Sequence, residues 1–267
     1  MTPAPQTSPR PPRPPRPTVE LEVIGTEHLS PHLVRVRLGG AGFAQFEDRP
    51  ETDKYVKLKF TTPAPESHPV TRTYTVRSVD AERGTIDVDF VVHGDEGLAG
   101  PWAAAAQAGD RISLMGPGGG YRPDPTADWY LFAGDLSAVP AIASALEDLR
   151  AHKPNAVGVA FIEVDAEDAT LPLDAPEGVA VMWVVDPAHN PEALADHVRA
   201  HDWPAGRVQA FAHGERESMK ALRRVLSNER ELPRTDMSLS GYWARGRSED
   251  RFQVEKREPI GQIFPEA

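Results

Sequence analysis

Two different periods of hydrophobicity divide the chain. From Thr18 to about Gly120, apolar residues come in short runs punctuated by Gly and Pro. Val19–Ile24, Leu33–Leu38, Tyr55–Phe60, Thr71–Val76, Thr85–Val92 and Arg111–Met115 are rich in β-branched residues and read as strands. Leu33-Val-Arg-Val-Arg-Leu38 and Ile86-Asp-Val-Asp-Phe-Val91 largely alternate apolar with polar, as a sheet with one buried face requires. Six such strands with turn signals between them predict a small closed antiparallel barrel. Gly97–Ala108 interrupts the series as a loop running into a short alanine-rich helix.

From about Trp129 the pattern changes. Trp129–Ala133, Val157–Val164, Val179–Val185 and Val208–Ala212 are apolar strands of the kind buried on both faces. Between and after them come helical segments at 138–151, 191–200 and 215–229. The last carries Met219, Leu222, Val225 and Leu226 at helical spacing. Strand–helix alternation predicts a parallel sheet covered on both sides. The predicted fold class is therefore two-domain α+β. A six-stranded antiparallel β-barrel over 18–125 is followed by an α/β parallel-sheet domain over 126–267, joined in the Pro- and Asp-rich stretch 123–127.

Composition narrows the chemistry. The chain has no cysteine, which excludes disulfides, thiolate metal sites, iron–sulfur ligation and a cysteine nucleophile. Any electron transfer therefore needs a bound organic cofactor. A net charge of −11 argues against nucleic acid as a partner. Residues 1–17 are the exception, with eight prolines, three arginines and no acid, and read as a disordered, polyproline-like tail. No apolar run is long enough to span a bilayer and no h-region marks export, so a cytoplasmic protein is expected. Without heptads or an exposed apolar stretch, a monomer is the expected state.

The segment Arg72-Thr73-Tyr74-Thr75-Val76-Arg77 carries the strongest chemical signal. Residues of like parity on a strand share a face, so Tyr74 can lie against a planar cofactor while Arg72 or Arg77 pairs with a diphosphate. The competing reading is an exposed strand with solvated arginines. Further on, Gly97-Leu-Ala-Gly100-Pro101-Trp102-Ala103 is a glycine-bearing loop opening a helix, which suits either a phosphate or an ordinary tight turn. Ser137, after Asp135-Leu136, is placed to cap the helix that follows.

These motifs occur in one order: Arg-x-Tyr-Thr-x-Arg, Asp89-Phe-Val91-Val-His93-Gly, Gly-Pro-Trp-Ala, Met115-Gly-Pro-Gly-Gly, Ala133-Gly-Asp-Leu-Ser and Gly241-Tyr-Trp-Ala-Arg-Gly-Arg247. Over roughly 18–258 the chain resembles the siderophore-interacting proteins, a branch of the ferredoxin–NAD(P)H reductase-like flavoenzymes. The resemblance implies FAD as cofactor, with Arg72, Tyr74, Thr75 and Arg77 holding the flavin and its phosphates. Asp89, Val91 and His93 would lie along it, and Gly100, Pro101, Trp102 and Ala103 would form the pyrophosphate loop. It implies reduction of a ferric siderophore, with NADH or NADPH as electron donor and reduced ferredoxin as the other candidate. Lys57, Arg245 and Arg247 would draw in the substrate, and the C-terminal segment would return to the flavin pocket. Asp135 and Ser137 would face the nicotinamide dinucleotide, although an acidic residue there departs from the glycine-rich turn of the wider superfamily. Two other functions stay open: a related flavoreductase with another acceptor, and a non-enzymatic siderophore carrier.

Overall fold

The computed structural model describes residues 18–62, 68–92 and 97–264. The Pro/Arg-rich tail and His93 lie outside the described residues. Strands β1 (Thr18–Ser30), β2 (Leu33–Gly39), β3 (Tyr55–Thr61), β4 (Pro69–Asp80), β5 (Thr85–Val91) and β6 (Arg111–Gly118) close into an antiparallel barrel of order β1-β2-β5-β4-β3-β6. Its interior is filled by alternate residues, among them Val19, Leu21 and Val23 of β1, Val36 and Leu38 of β2, and Val56 and Leu58 of β3. Fully burying each such side chain contributes about 1.5–3 kcal/mol. Helix α1 (Ala99–Ala105) stops one end, where Trp102 meets Phe60 and Phe90 at centroid separations of 5.7 and 5.6 Å.

The second half holds β7 (Trp129–Asp135), β8 (Val157–Val164), β9 (Gly178–Val185), β10 (Val208–Glu215) and β11 (Met237–Trp243). They form one parallel sheet of order β11-β10-β7-β8-β9. Strand alternation sorts its two cores. Leu131, Ala133, Val159 and Phe161 face α3 (Ala193–Ala200) and α4 (Arg216–Arg223). Tyr130, Phe132, Ala160 and Ile162 face α2 (Val139–His152). A final helix, α5 (Glu249–Glu255), follows the edge strand β11. No helix among the described residues is long and apolar enough to cross a membrane.

Several elements differ from the sequence expectation. Strand β1 runs six residues past Ile24 because its hairpin with β2 continues beyond the core, with polar residues on both faces. The helix expected over 215–229 is α-helical only through Arg223, then widens into a π-type turn over Arg224–Glu229. Glu215 is its N-cap, accepting from the Glu217 and Ser218 amides. Ser137 does not cap α2. Its hydroxyl and its amide both donate to the Asp135 carboxylate, which outcompetes the helix start. Strand β11 and helix α5 were not expected at all.

Helix α5 is anchored by charge. Glu255, 1% exposed, accepts from Arg216 at 2.7 Å and from Arg247 and Arg251 at 2.8 Å each. Those guanidiniums, Arg216 foremost, hold its carboxyl down at about 2 against an ordinary 4.5. A carboxyl whose pKa is depressed by folding stabilises the fold above its unfolded pKa, and the contribution is lost as pH falls through the folded value. Glu255→Gln is therefore expected to melt below wild type at pH 7. The gap should close between pH 4.5 and about 2, as thermal unfolding across that range will read out. A gap independent of pH would show that the charge is not what anchors α5.

Candidate functional site

The barrel and the sheet meet along β4. Arg77 pairs with Glu147 of α2, Thr75 is hydrogen-bonded to the Tyr242 phenol at the end of β11, and Arg72 reaches Asp250 of α5 at 2.9 and 3.1 Å. Below these ties opens a cavity of about 1030 Å³ between β3 and β4 on one side and the C-terminal ends of the sheet strands on the other. That is where open parallel sheets bind ligands.

The cavity has an aromatic side and a charged side. Tyr55, Tyr74, Tyr242 and Trp243 line it together with the hydroxyls of Thr73 and Thr75. Tyr74 shares parity with inward-facing Val76 and packs on Phe90 at 4.4 Å, and burial pushes its phenol well above 10. His213, 4% exposed, stacks on Phe211 at 4.0 Å and stands edge-on to Tyr242 at 4.9 Å. Burial lowers its pKa to about 3, so the ring is neutral. Its Nε2 meets Ser238 at 3.0 Å while Nδ1 has no partner.

Of the cations picked from sequence, Lys57 and Arg245 line the cavity, and Arg245 lies over the Trp243 ring at 5.2 Å. Arg247 does not, being bound to Glu255. Lys256 does; it donates to the Gly241 carbonyl at 3.0 Å, and burial lowers its pKa. Among the described residues Lys57, Arg245 and Lys256 enter no ion pair, whereas Arg72, Arg77 and Arg247 each do. Sequence reasoning missed Lys256. The signal was there in Glu249, Gln253 and Lys256, one helical face that lines the cavity.

The remaining expected flavin residues divide. Tyr74, Thr75, Asp89 and Val91 line the cavity, and Asp89 is held in a two-pronged pair with Arg35 at 2.7 and 2.8 Å. Arg72, Arg77 and the loop Gly100, Pro101, Trp102 and Ala103 do not line it. Gly100 instead lets α1 approach β5, since a Cβ there would sit 3.3 Å from the Val91 carbonyl.

At the sheet's edge Asp135 is the organising group. One carboxylate oxygen takes the Ser137 amide at 2.9 Å, and the other takes the Glu215 amide at 2.7 Å and the Trp243 indole at 2.8 Å. Three strand ends, β7, β10 and β11, are thus joined through one side chain. Directly across the register from Asp135 stands Glu163, the last charged residue of β8. Glu163 is 7% exposed and its Oε2 has no partner. Burial first, then the carboxylates of Asp135, Asp186 and Asp165, push its pKa up to about 7.

An antiparallel barrel followed by a parallel sheet is a fold shared with the ferredoxin reductase in carbazole 1,9a-dioxygenase, which superposes with a TM-score of 0.69 at 17% identity, covering 87% of this chain and 71% of that one. Residues 59–121 match the siderophore-interacting FAD-binding domain, and residues 127–246 match the siderophore-interacting protein model. The chain is 46% identical over 268 residues to the uncharacterized protein Rv2895c of Mycobacterium tuberculosis, covering 89% of this chain and 94% of that one. It is 35% identical over 266 residues to the ferric vibriobactin reductase ViuB of Vibrio cholerae, covering 91% and 96%. A siderophore utilization protein from T. fusca superposes with a TM-score of 0.79 at 36% identity, covering 88% of this chain and 95% of that one. The chain belongs to the siderophore-interacting protein family.

The residues present fit a flavin. Tyrosine rings and threonine hydroxyls suit a planar ring with a polar rim, the His213 Nδ1 is a buried polar atom without a partner, and Asp250 is exposed enough for an incoming phosphate to replace it on Arg72.

Two expectations follow for the acidic edge. Asp135→Ala leaves two amides and an indole without their acceptor and should cost about 1–3 kcal/mol in urea unfolding at pH 7. For Glu163 the sign is opposite. A carboxyl whose pKa is raised by folding weakens the fold as pH climbs from the unfolded value to the folded one. Glu163→Gln should therefore match wild type near pH 4.5 and exceed it by about 1–3 kcal/mol at pH 8. A pH-independent difference would count against this account.

Proposed function

We propose that the protein is an FAD-dependent ferric-siderophore reductase that releases iron as Fe(II) from siderophores brought into the cytoplasm. One observation carries the reading: the cavity of an acidic chain is lined by Lys57, Arg245 and Lys256, none of which enters an ion pair among the described residues, beside an aromatic wall. A bulky, often anionic ferric chelate needs such local cations to be drawn in against the net charge. The relation to a protein named ferric vibriobactin reductase supports it.

In this reading Tyr74, Thr75 and Tyr242 hold the ring of the flavin, and Arg72 and Arg77 serve its phosphates. Bound flavin would supply a two-electron reservoir that can be emptied one electron at a time onto Fe(III). The protein's residues do the rest. Lys57, Arg245 and Lys256 hold the chelate in the cavity, and the neutral His213 offers its unpartnered Nδ1 for a hydrogen bond with the ring system. Hard oxygen donors bind Fe(III) far more tightly than Fe(II), so reduction loosens the metal without a protein metal ligand. The electrons come from a nicotinamide dinucleotide or from reduced ferredoxin.

The test is anaerobic. Purified protein loaded with FAD is reduced with one equivalent of dithionite, then mixed with a ferric trihydroxamate and an Fe(II) chelator. Recovery of the oxidised flavin band with appearance of the Fe(II) chelate is expected. A reduced flavin that the ferric chelate leaves unchanged points to another acceptor, and a protein that stays colourless with FAD supplied but binds the chelate is a carrier. Replacing Lys57, Arg245 and Lys256 together by Gln should lower kcat/KM about 10–100-fold, mostly through KM, with the deficit shrinking at high salt.

A further inference from the structure

At the start of α2, where a dinucleotide fold ordinarily grips the diphosphate, the amides of Ser137, Ala138 and Val139 are already taken. The Ser137 amide is spent on the Asp135 carboxylate at 2.9 Å, Ala138 on the Asp135 carbonyl at 2.9 Å, and Val139 on the Leu136 carbonyl at 3.3 Å. Pro140 has no N–H. A dinucleotide entering here finds three amides of its usual phosphate grip occupied, which puts weight on contacts away from the phosphates.

The cavity continues past this point to the ends of β8 and β9, where Glu163, Asp165 and His189 line it. Glu163 is the last residue but one of β8, the strand next to β7, near the position from which a carboxylate reaches a ribose in dinucleotide folds. Its Oε2 is buried, lacks any partner and belongs to a cavity-lining side chain. A buried acceptor left unmatched in the free protein is matched by a ligand that donates. A vicinal diol brings two O–H donors and no charge. A phosphate ester at the same place brings a dianion against Glu163, Asp165 and Asp135, with Asp186 acting on Glu163 from the far side and Arg245 the opposing charge. We infer that Glu163 is the specificity residue of the donor site, accepting from the adenosine ribose of NADH and excluding NADPH by charge. This rests on the reading that the chain takes electrons from a nicotinamide.

The FAD-loaded full chain tests this in two ways. Calorimetric titration with NAD⁺ and NADP⁺ at pH 8, where Glu163 carries its charge, reads recognition without turnover, and anaerobic bleaching of the flavin band at the same pH reads the reduced forms. NAD⁺ should bind, and NADH should bleach, with an efficiency about 100-fold above the phosphorylated partner, as carboxylates at contact range imply. Glu163→Gln, which keeps an acceptor and loses the charge, should narrow the preference for NADH over NADPH about 10-fold, chiefly by improving NADPH. Glu163→Ala should lower NADH about 10-fold. Equal use of the two nicotinamides by wild type, or variants that move both alike, would overturn the assignment. So would a protein that neither nicotinamide binds, even if its dithionite-reduced form delivers Fe(II). A protein selective for NADH whose reduced form leaves ferric siderophore untouched would uphold the donor site and refute the acceptor.

Discussion

Everything about the site depends on β4 being held from both sides. A barrel strand ordinarily shows one face to its own core and the other to water. Here the outer face of β4 meets α2 through Arg77 and Glu147 and β11 through Thr75 and Tyr242, while Arg72 reaches α5 through Asp250. Barrel and sheet each have a separate hydrophobic core. The polar ties fix the distance between them, and the cavity is what that distance leaves open. Ion pairs with a solvent-exposed partner, such as Arg72 with Asp250, contribute little to stability, so these contacts matter for registration more than for strength.

The second constraint is electrostatic. Parallel strands bring their C-terminal ends to one edge, and in this chain β7 and β8 end in facing acids, Asp135 and Glu163. Like charges across adjacent strands oppose folding unless each is answered. Asp135 is answered by amides and an indole from neighbouring elements, which makes it a structural joint. Glu163 is answered by nothing on Oε2. The same edge therefore shows a committed carboxylate beside an available one, and the cations of the cavity divide in the same way. Arg72, Arg77 and Arg247 hold the frame, while Lys57, Arg245 and Lys256 line the cavity without an acidic partner among the described residues.

Period-2 and period-3.6 patterns made the barrel and the covered sheet legible, because Val, Leu and Ile at alternate positions have few other ways to be buried. What stayed illegible depends on contacts between remote residues. Strand β11 opens on Met-Ser-Leu-Ser-Gly, weak β-formers whose place in the sheet is set by parallel pairing with the distant strand β10. Helix α5 has a good start signal in Ser248 followed by Glu249 and Asp250, yet the buried partner of its Glu255 is Arg216, far back in the chain, which joins the local Arg247 and Arg251. The motif arginines were legible as residue types but not as partners. Sequence shows that Arg247 is cationic; only the fold shows that Glu255 already holds it. Glu163 was open to discovery as an acid closing an apolar parallel strand, and Lys256 as the third residue of a helical face.

The central claim is that the cavity beneath β4 is a flavin site shared by both halves. The most direct measurement is a titration of cofactor-free protein with FAD, followed by flavin and tryptophan fluorescence in wild type and in Tyr74→Ala. Saturation at one FAD per chain is predicted, with the flavin emission quenched by the stacked aromatic wall and the Trp243 emission changing in step. Affinity should fall about 10-fold or more in the variant, as loss of a ring contact implies. FAD binding that leaves tryptophan emission unchanged and is indifferent to Tyr74 would place the cofactor elsewhere and contradict the account.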